Sequence, residues 1–144
     1  MTAVYLCARM TGVENHNVTL FETWTKRFRD DGLTVFSPPE ISMPGFFVGP
    51  TFMRSRCLAA EFDIICTKAD AVLVLQSDWR ESTGCVAEVS AAIAVGLPVY
   101  VKSNIDGDDM GPWYPILDQW FSLGIATFGT RERCSFLHDL GEWR

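Results

Sequence analysis

The sequence predicts an α/β fold: a doubly wound, five-stranded parallel sheet with helices on both faces, in a single domain spanning 1–144. Short runs rich in Val, Leu and Ile alternate along the chain with longer segments of helical periodicity. The short runs are continuously apolar, which is typical of strands buried on both faces. Right-handed crossover helices then cover both sides of the sheet and give three layers.

The strands and helices can be assigned in order along the chain. The strands are predicted at 3–8, 33–37, 71–76, 97–101 and 124–128. A helix over 17–31 has its apolar residues at helical spacing and is followed by Gly32, a typical residue just past a helix end. A second helix ends near Lys68, a third begins near Ser82, and a helix is expected after each of the last two strands.

The segment 37–53, SPPEISMPGFFVGPTFM, separates the second strand from the second helix. Its four prolines and several aromatic residues predict a long loop. Long loops in compact domains usually form the lid or wall of a site. Phe46 and Phe47 are therefore candidates for stacking against an aromatic ligand.

Composition excludes several classes of function. The 144-residue chain has a net charge of −6, which argues against a surface for DNA or RNA. Its five cysteines show no CxxC or Cys/His spacing, so we expect reduced thiols, no metal site and no bound cofactor. The apolar runs are too short to span a membrane, and the start MTAVYLCARM does not resemble a signal peptide, so a cytoplasmic protein is expected.

A single carboxylate interrupts the apolar helix in STGCVAEVSAAIAVG, residues 82–96. A helix that is apolar on nearly all sides is normally buried, and a buried carboxylate costs free energy unless it is compensated. Glu88 is therefore paired, exposed at one end of the helix, or retained for chemistry. In doubly wound sheets, ligands bind beyond the carboxyl ends of the strands, where this helix begins.

Four stretches resemble the nucleoside 2-deoxyribosyltransferase-like family, which includes 2′-deoxynucleoside 5′-monophosphate N-hydrolases. They are YLCARMTG at the start, DGLTVFSP at the second strand, DIICTKADAVLVL leading into the third, and ESTGCVAEVSAAIAVGLPVY. The most specific is the S-x-G-x-x-x-E run followed by a small-residue helix and GLPVY. The resemblance covers most of the chain and implies an enzyme of the N-glycosidase or 2-deoxyribosyltransferase type.

The resemblance implies roles for two carboxylates, a nucleophile and a general acid. The glutamate equivalent to Glu88 is the family's nucleophile, which attacks the anomeric carbon and forms a covalent glycosyl intermediate. The family also has an aspartate about two dozen residues earlier, which makes Asp63 the expected general acid, with its pKa raised by burial and the nearby anion. Glu61 is the alternative if the helix register differs. Asp70 is expected at the opposite edge of the sheet, as a turn residue.

The remaining site residues are expected around the same pocket. Tyr5 is expected either to orient Glu88 through its hydroxyl or to pack in the core, and Trp79 is a candidate for stacking on a base. Arg9 is the first candidate for a phosphate contact, ahead of Arg54, Arg56 and Arg80. The other expected substrate-binding residues lie in the loops after the first and third strands: Ala8, Met10, Gly12, Ser82 and Gly84.

Ser82 bears on the choice of substrate. Transferases of the family that act on free nucleosides tend to have aspartate six residues before the nucleophile, whereas the 5′-monophosphate hydrolases resemble this chain in having serine. A hydroxyl at a helix start attracts a phosphate that an aspartate would repel. Serine is also a favoured helix cap, and the two roles are compatible.

These features predict cleavage of the N-glycosidic bond of a (deoxy)nucleoside 5′-monophosphate, with transfer of the sugar to water or to another base. A 2-deoxyribosyltransferase acting on free nucleosides is the first alternative. A non-catalytic nucleotide-binding sensor is the second, because a fold does not determine a function. The partners expected are a small-molecule substrate and, by resemblance, a second copy of the chain; the apolar segments WYPILDQWF and FLHDLGEWR offer surface for such a homo-oligomer.

Overall fold

The computed structural model describes residues 2–42, 51–102 and 113–116. Within these ranges the strands are β1 (Ala3–Cys7), β2 (Thr34–Phe36), β3 (Ala71–Val74), β4 (Val99–Lys102) and β5 (Trp113–Pro115). The helices are α1 (Val18–Asp30), α2 (Pro38–Ser42), α3 (Thr51–Thr67) and α4 (Thr83–Ala94). Single turns of tighter helix occur at Glu14–Asn17 and Trp79–Glu81.

The described strands form one sheet in the order β2-β1-β3-β4-β5. The first four are parallel, with Tyr5 of β1 opposite Phe36 on one side and Val72 on the other. The doubly wound α/β fold is therefore confirmed. Chain connections leave β1 and β3 towards opposite edges of the sheet, so the order reverses between these two strands.

The last described strand departs from the all-parallel expectation. β5 runs antiparallel to β4, with Tyr100 opposite Pro115 and Lys102 opposite Trp113. The predicted strand 124–128 lies outside the described residues. The segment 113–116 belongs to the fold itself, because Ile116 is buried and the indole of Trp113 meets Trp24 edge-on at 5.5 Å between ring centroids.

Two apolar cores lie on opposite faces of the sheet. Alternate residues of β1 and β3 pack against α1 on one face, and the remaining residues of these strands pack against α3 and α4 on the other. The apolar stripe predicted on the first helix is observed, with Phe21, Trp24 and Phe28 all buried. Both sheet faces are thus covered, as continuous apolar strands require.

Turn residues lie just before two of the strands, β2 and β3. Gly32 follows α1 with φ +88, a left-handed conformation that suits glycine, and leads directly into β2. At the amino-terminal edge of the sheet, the Ala3 N–H donates to Asp70 Oδ2 at 2.8 Å, and the Asp70 N–H donates to the Ala3 carbonyl at 2.7 Å. Asp70 therefore joins β1 to β3 at the edge expected for it.

Part of the predicted loop 37–53 is helical. α2 occupies Pro38–Ser42, and α3 already begins at Thr51. Proline suits the first turn of a helix because its missing N–H has no helical partner there. Phe46 and Phe47 lie outside the described residues. No helix within the described ranges is both long and apolar enough to cross a membrane.

Candidate functional site

A pocket opens at the carboxyl ends of β1 and β3, where the strand order reverses. Its volume is about 460 Å³, including the space open to solvent at its mouth. The chain segments that follow β1 and β3 form part of its wall, and the facing sides of α3 and α4 complete it. The described lining residues are Ala8, Met10, Thr11, Cys57, Leu58, Glu61, Ser82, Gly84, Cys85 and Glu88.

Glu88 lies in the second turn of α4 and faces this pocket. The helix starts after Ser82, whose Oγ accepts the Cys85 N–H at 3.2 Å and caps the first turn. One side of α4 packs on the sheet through Val89 and Ala92, and Glu88 itself is only 7% exposed. The carboxylate in the apolar helix is therefore buried at the pocket rather than exposed at a helix end.

Glu61 brings a second buried carboxyl group to Glu88. It lies on α3, is 6% exposed, and its side chain hydrogen-bonds Glu88. A hydrogen bond between two carboxyl groups needs one proton between them, because two carboxylates offer only acceptors. Burial raises the pKa of Glu88 well above its ordinary value, and the negative charge of Glu61 raises it further. The pair therefore holds a proton more tightly than separate carboxylates would.

Asp63 does not reach the pocket, which corrects its expected position beside Glu88. Its side chain is exposed, and it is not among the residues that line the cavity. Successive helical residues are about 100° apart, so a residue two positions after Glu61 lies about 200° around α3, on the solvent side. The structure therefore has the alternative register of α3, in which Glu61 rather than Asp63 lines the pocket.

Tyr5 lies beneath the carboxyl pair. Its side chain is fully buried, and its hydroxyl makes no hydrogen bond with the described residues. Burial raises the pKa of Tyr5 well above its ordinary value, with further contributions from the charges of Glu88 and then Glu61. The ring therefore packs in the core, which was one of the two expectations, and the hydroxyl lies within the electrostatic reach of both acids without a hydrogen bond to either.

The Cys7 thiol also approaches the pair from the sheet. Cys7 is the last residue of β1, is fully buried, and hydrogen-bonds the side chains of Cys85 and Glu88. Its bond to Glu88 acts against burial, because an S–H donor stabilises the ionised carboxylate and lowers the pKa of Glu88. Glu88 thus has a neighbouring donor that favours its charged form.

Arg9 is held at the pocket rim by acidic neighbours. Its Nη1 lies 3.1 Å from Glu81 Oε2 and 3.9 Å from Asp78 Oδ2. These partners follow β3, so the ion pairs join the loops that leave the two central strands. No Lys or Arg is among the described residues that line the cavity.

Asn17 ties the same two loops together. Its Nδ2 donates to the Arg9 carbonyl at 2.8 Å and to Gln76 Oε1 at 2.9 Å. It ends a run of three left-handed residues, Asn15, His16 and Asn17, with φ of 49, 53 and 64. Such conformations are costly for residues other than glycine and concentrate at functional sites.

Two other residues expected to contact the ligand, Trp79 and Gly12, are not among the described residues that line the cavity. Trp79 is 3% exposed and packs into the core beside α3 and α4, with the Arg80 guanidinium 5.1 Å from its ring centroid. The expectation that Trp79 offers a stacking face is therefore wrong, because the tight turn Trp79–Glu81 points the indole inward. Gly12 is exposed with φ +79 and shapes the turn without lining the cavity.

Four lining residues were not predicted from the sequence: Thr11, Cys57, Leu58 and Cys85. Three of them lie three or four positions before one of the two acids, which is the spacing of one helical turn. Cys57 and Leu58 precede Glu61 by four and three positions, and Cys85 precedes Glu88 by three. Side chains at such spacings share one helix face, so this signal becomes readable once the two acids are known.

The fold and pocket define the chain as a doubly wound α/β domain with a buried carboxyl pair at its switch point. The chain belongs to the family described as a domain of unknown function, DUF4406, whose model matches residues 2–101. No curated protein matches the sequence.

Among solved structures, the chain is similar to the 2-deoxyribosyltransferase of the psychrotolerant bacterium Bacillus psychrosaccharolyticus. The TM-score is 0.60 at 21% sequence identity, and the alignment covers 91% of this chain and 89% of the other. That enzyme is described as a biocatalyst for the synthesis of antiviral and antitumoral nucleosides. At this level of identity the likeness concerns the fold.

The raised pKa of Glu88 predicts how stability depends on pH. In the unfolded chain the carboxyl group titrates near its ordinary value of 4.5, and in the folded chain well above it. Between these values the folded chain keeps a proton that the unfolded chain has lost, so stability falls as pH rises through this window. Glu88→Gln removes this cost and should raise the free energy of unfolding by about 1–2 kcal/mol at about pH 8.

Urea unfolding at about pH 4 and about pH 8 tests this prediction, because the gain should nearly vanish at the lower pH. Glu22→Gln, on the exposed face of α1, is the matched control. A Glu88→Gln variant that is less stable than the parent at about pH 8 would show that the charged carboxylate contributes to folding there.

Proposed function

We propose that this chain cleaves the N-glycosidic bond of a nucleoside-type substrate by double displacement through Glu88. The observation that supports this most directly is the buried, hydrogen-bonded pair of Glu88 and Glu61 in the pocket at the switch point. Two carboxyl groups with different protonation states are what glycosidic cleavage requires, one as nucleophile and one as acid. A sensor that only binds nucleotides has no such need, so the pair favours an enzyme.

In the first step, a Glu88 carboxylate oxygen attacks the anomeric carbon and the carbon–nitrogen bond to the base breaks. Glu61 transfers its proton to the departing base, which leaves neutral. For this step the shared proton passes from Glu88 to Glu61 when the substrate binds, and the Cys7 thiol favours that form because it lowers the pKa of Glu88. In the second step, water or another base attacks the glycosyl–Glu88 ester, and Glu61 accepts the proton of the attacking group.

Tyr5 is the proposed positioning residue for the nucleophile. Its hydroxyl has no hydrogen-bond partner among the described residues, and it lies near both acids. A buried hydroxyl without a partner is uncommon and has a donor available. Donation to Glu88 would hold the carboxylate in one orientation while the sugar enters.

For the sugar, we propose a 5′-monophosphate bound near the start of α4. Ser82 and Gly84 line the pocket there, where the first N–H groups of the helix have no helical partners. A free nucleoside is the second candidate, because Arg9 is paired with Glu81 and no cationic side chain is among the described lining residues. Members of the proposed class differ in the base that they release, in the 2′ substituent of the sugar, and in whether they hydrolyse the bond or transfer the sugar.

Removal of the nucleophile tests the proposed function itself. Glu88→Ala should lower base release by more than about 10³-fold, because the covalent path is lost while a helix-forming residue remains. The measurement is chromatography of free base after incubation with a panel of nucleosides and 5′-monophosphates. Activity within about tenfold of the parent would remove Glu88 from the mechanism. A slowly reacting 2-fluoro sugar analogue should label Glu88 in the parent, as read by peptide mass spectrometry.

Separate substitution of the two acids on α3 tests the assignment of the general acid. Glu61→Gln should slow release of a natural base by about 10²–10³-fold, and should slow release of a nitro-substituted aromatic leaving group much less. The matched control is Asp63→Asn on the exposed side of the same helix, which should stay within about twofold of the parent on both substrates. Equal losses on the two leaving groups for Glu61→Gln would assign Glu61 to substrate positioning.

Substitution of Ser82 distinguishes the phosphorylated from the free substrate. If the start of α4 binds a phosphate, 5′-monophosphates should have a higher kcat/KM than the matching nucleosides. Ser82→Asp should then cost monophosphates about 10²-fold or more through repulsion, and spare free nucleosides, because aspartate still caps the helix. Ser82→Ala should be milder on both, since it removes only a neutral hydroxyl and the cap. A parent enzyme that prefers free nucleosides would select the second candidate.

A further inference from the structure

Two cysteines form a cluster beside the carboxyl pair. Cys7 ends β1 and is fully buried, and Cys85 lies in the first turn of α4, where it contributes to the pocket wall at 2% exposure. Their side chains hydrogen-bond each other. One thiol is thus reached through the pocket, and the other lies behind it on a rigid strand.

The two thiols differ in their surroundings. The Cys7 side chain lowers the pKa of Cys85, burial opposes this, and the Ser82 side chain lowers the pKa further, so that the pKa of Cys85 lies below its ordinary value. The start of a helix also favours a thiolate. By contrast, the bond to Cys85 and then burial raise the pKa of Cys7 well above its ordinary value. The thiol that lines the pocket, Cys85, is therefore the better nucleophile of the two, and Cys7 keeps its proton.

We propose that Cys85 and Cys7 form a site of reversible covalent modification that reacts with small hydroperoxides. The Cys85 thiolate attacks one oxygen of the peroxide, the O–O bond breaks, and Cys85 sulfenic acid forms while the peroxide is reduced to an alcohol or water. Cys7 sulfur then attacks Cys85 sulfur, the sulfenic oxygen leaves as water with the Cys7 proton, and a disulfide remains. Two thiols are oxidised by two electrons for each peroxide reduced.

The disulfide would covalently join the end of β1 to the start of α4, on two sides of the pocket floor. It would also remove the only proton with which Cys7 binds Glu88. The loss of base-releasing activity that follows from this change rests on the proposed function. Formation of the disulfide does not depend on it.

Two other thiols provide internal comparisons. Cys57 lies on α3, is half-buried, and lines the same pocket, so it is the competing partner for Cys85. Cys66 is exposed farther along α3 and does not line the pocket. Exposure alone would direct oxidation to Cys66, whereas the proposed cluster directs it to Cys85.

The test begins with the unmodified five-cysteine protein, treated with hydrogen peroxide and digested without reduction. Mass spectrometry should find one linked peptide pair containing Cys7 and Cys85, with the chain lighter by two hydrogen atoms. Dithiothreitol should restore the original mass and both titratable thiols. A variant combining Cys57→Ser, Cys66→Ser and Cys134→Ser should form the same link, because it retains only the proposed pair.

Cys7→Ala separates the two steps. Without its partner, Cys85 should stop at the sulfenic acid, which a cyclic diketone probe captures at that residue. A link between Cys57 and Cys85, or oxidation of Cys66 while Cys85 stays reduced, would overturn the proposal. Both of these overturning outcomes are read from the unmodified protein, so the test does not depend on whether Cys7→Ala folds. An inactive reduced protein that still forms the Cys7–Cys85 link would refute the proposed function and leave this site established.

Discussion

The hydrogen bond between Glu61 and Glu88 is the interaction on which the site depends. Two buried carboxyl groups cannot both be charged at hydrogen-bonding distance without a large electrostatic cost, so together they hold a proton. That state needs a scaffold that keeps them close and largely excludes water. α3 and α4 supply it, because they pack side by side on one face of the sheet and each turns one acid towards the same cavity.

The strand order makes this arrangement compatible with an open pocket. The chain crosses from β2 over β1 to reach β3, which places α3 beside α4 on one sheet face and α1 on the other. A cleft then remains between the loops that leave β1 and β3. Arg9, Asn17 and Gln76 link these two loops with ion pairs and amide hydrogen bonds. The rim is therefore fixed by polar contacts and the floor by apolar packing.

The sequence was informative where one local pattern had one structural solution. Continuous apolar runs predicted four of the described strands, and the serine before the apolar helix is the cap of α4. The facing side of α3 was not predictable, because alanine, phenylalanine and cysteine occur around the whole helix and leave no clear stripe. Which of Glu61 and Asp63 faces the pocket then depends on tertiary packing. The inward indole of Trp79 and the antiparallel return at Trp113 also depend on contacts between distant segments.

The left-handed run Asn15–Asn17 has a consequence for the thermodynamics of recognition. Its conformational cost is met when the chain folds, since the Asn17 amide is bonded to both loops by contacts within the chain itself. A ligand that enters beside Ala8 and Thr11 thus meets a wall that is already ordered. Binding there costs the protein little backbone entropy. An ordered wall of this kind penalises a change in ligand geometry as a clash, because the loop does not rearrange to absorb it.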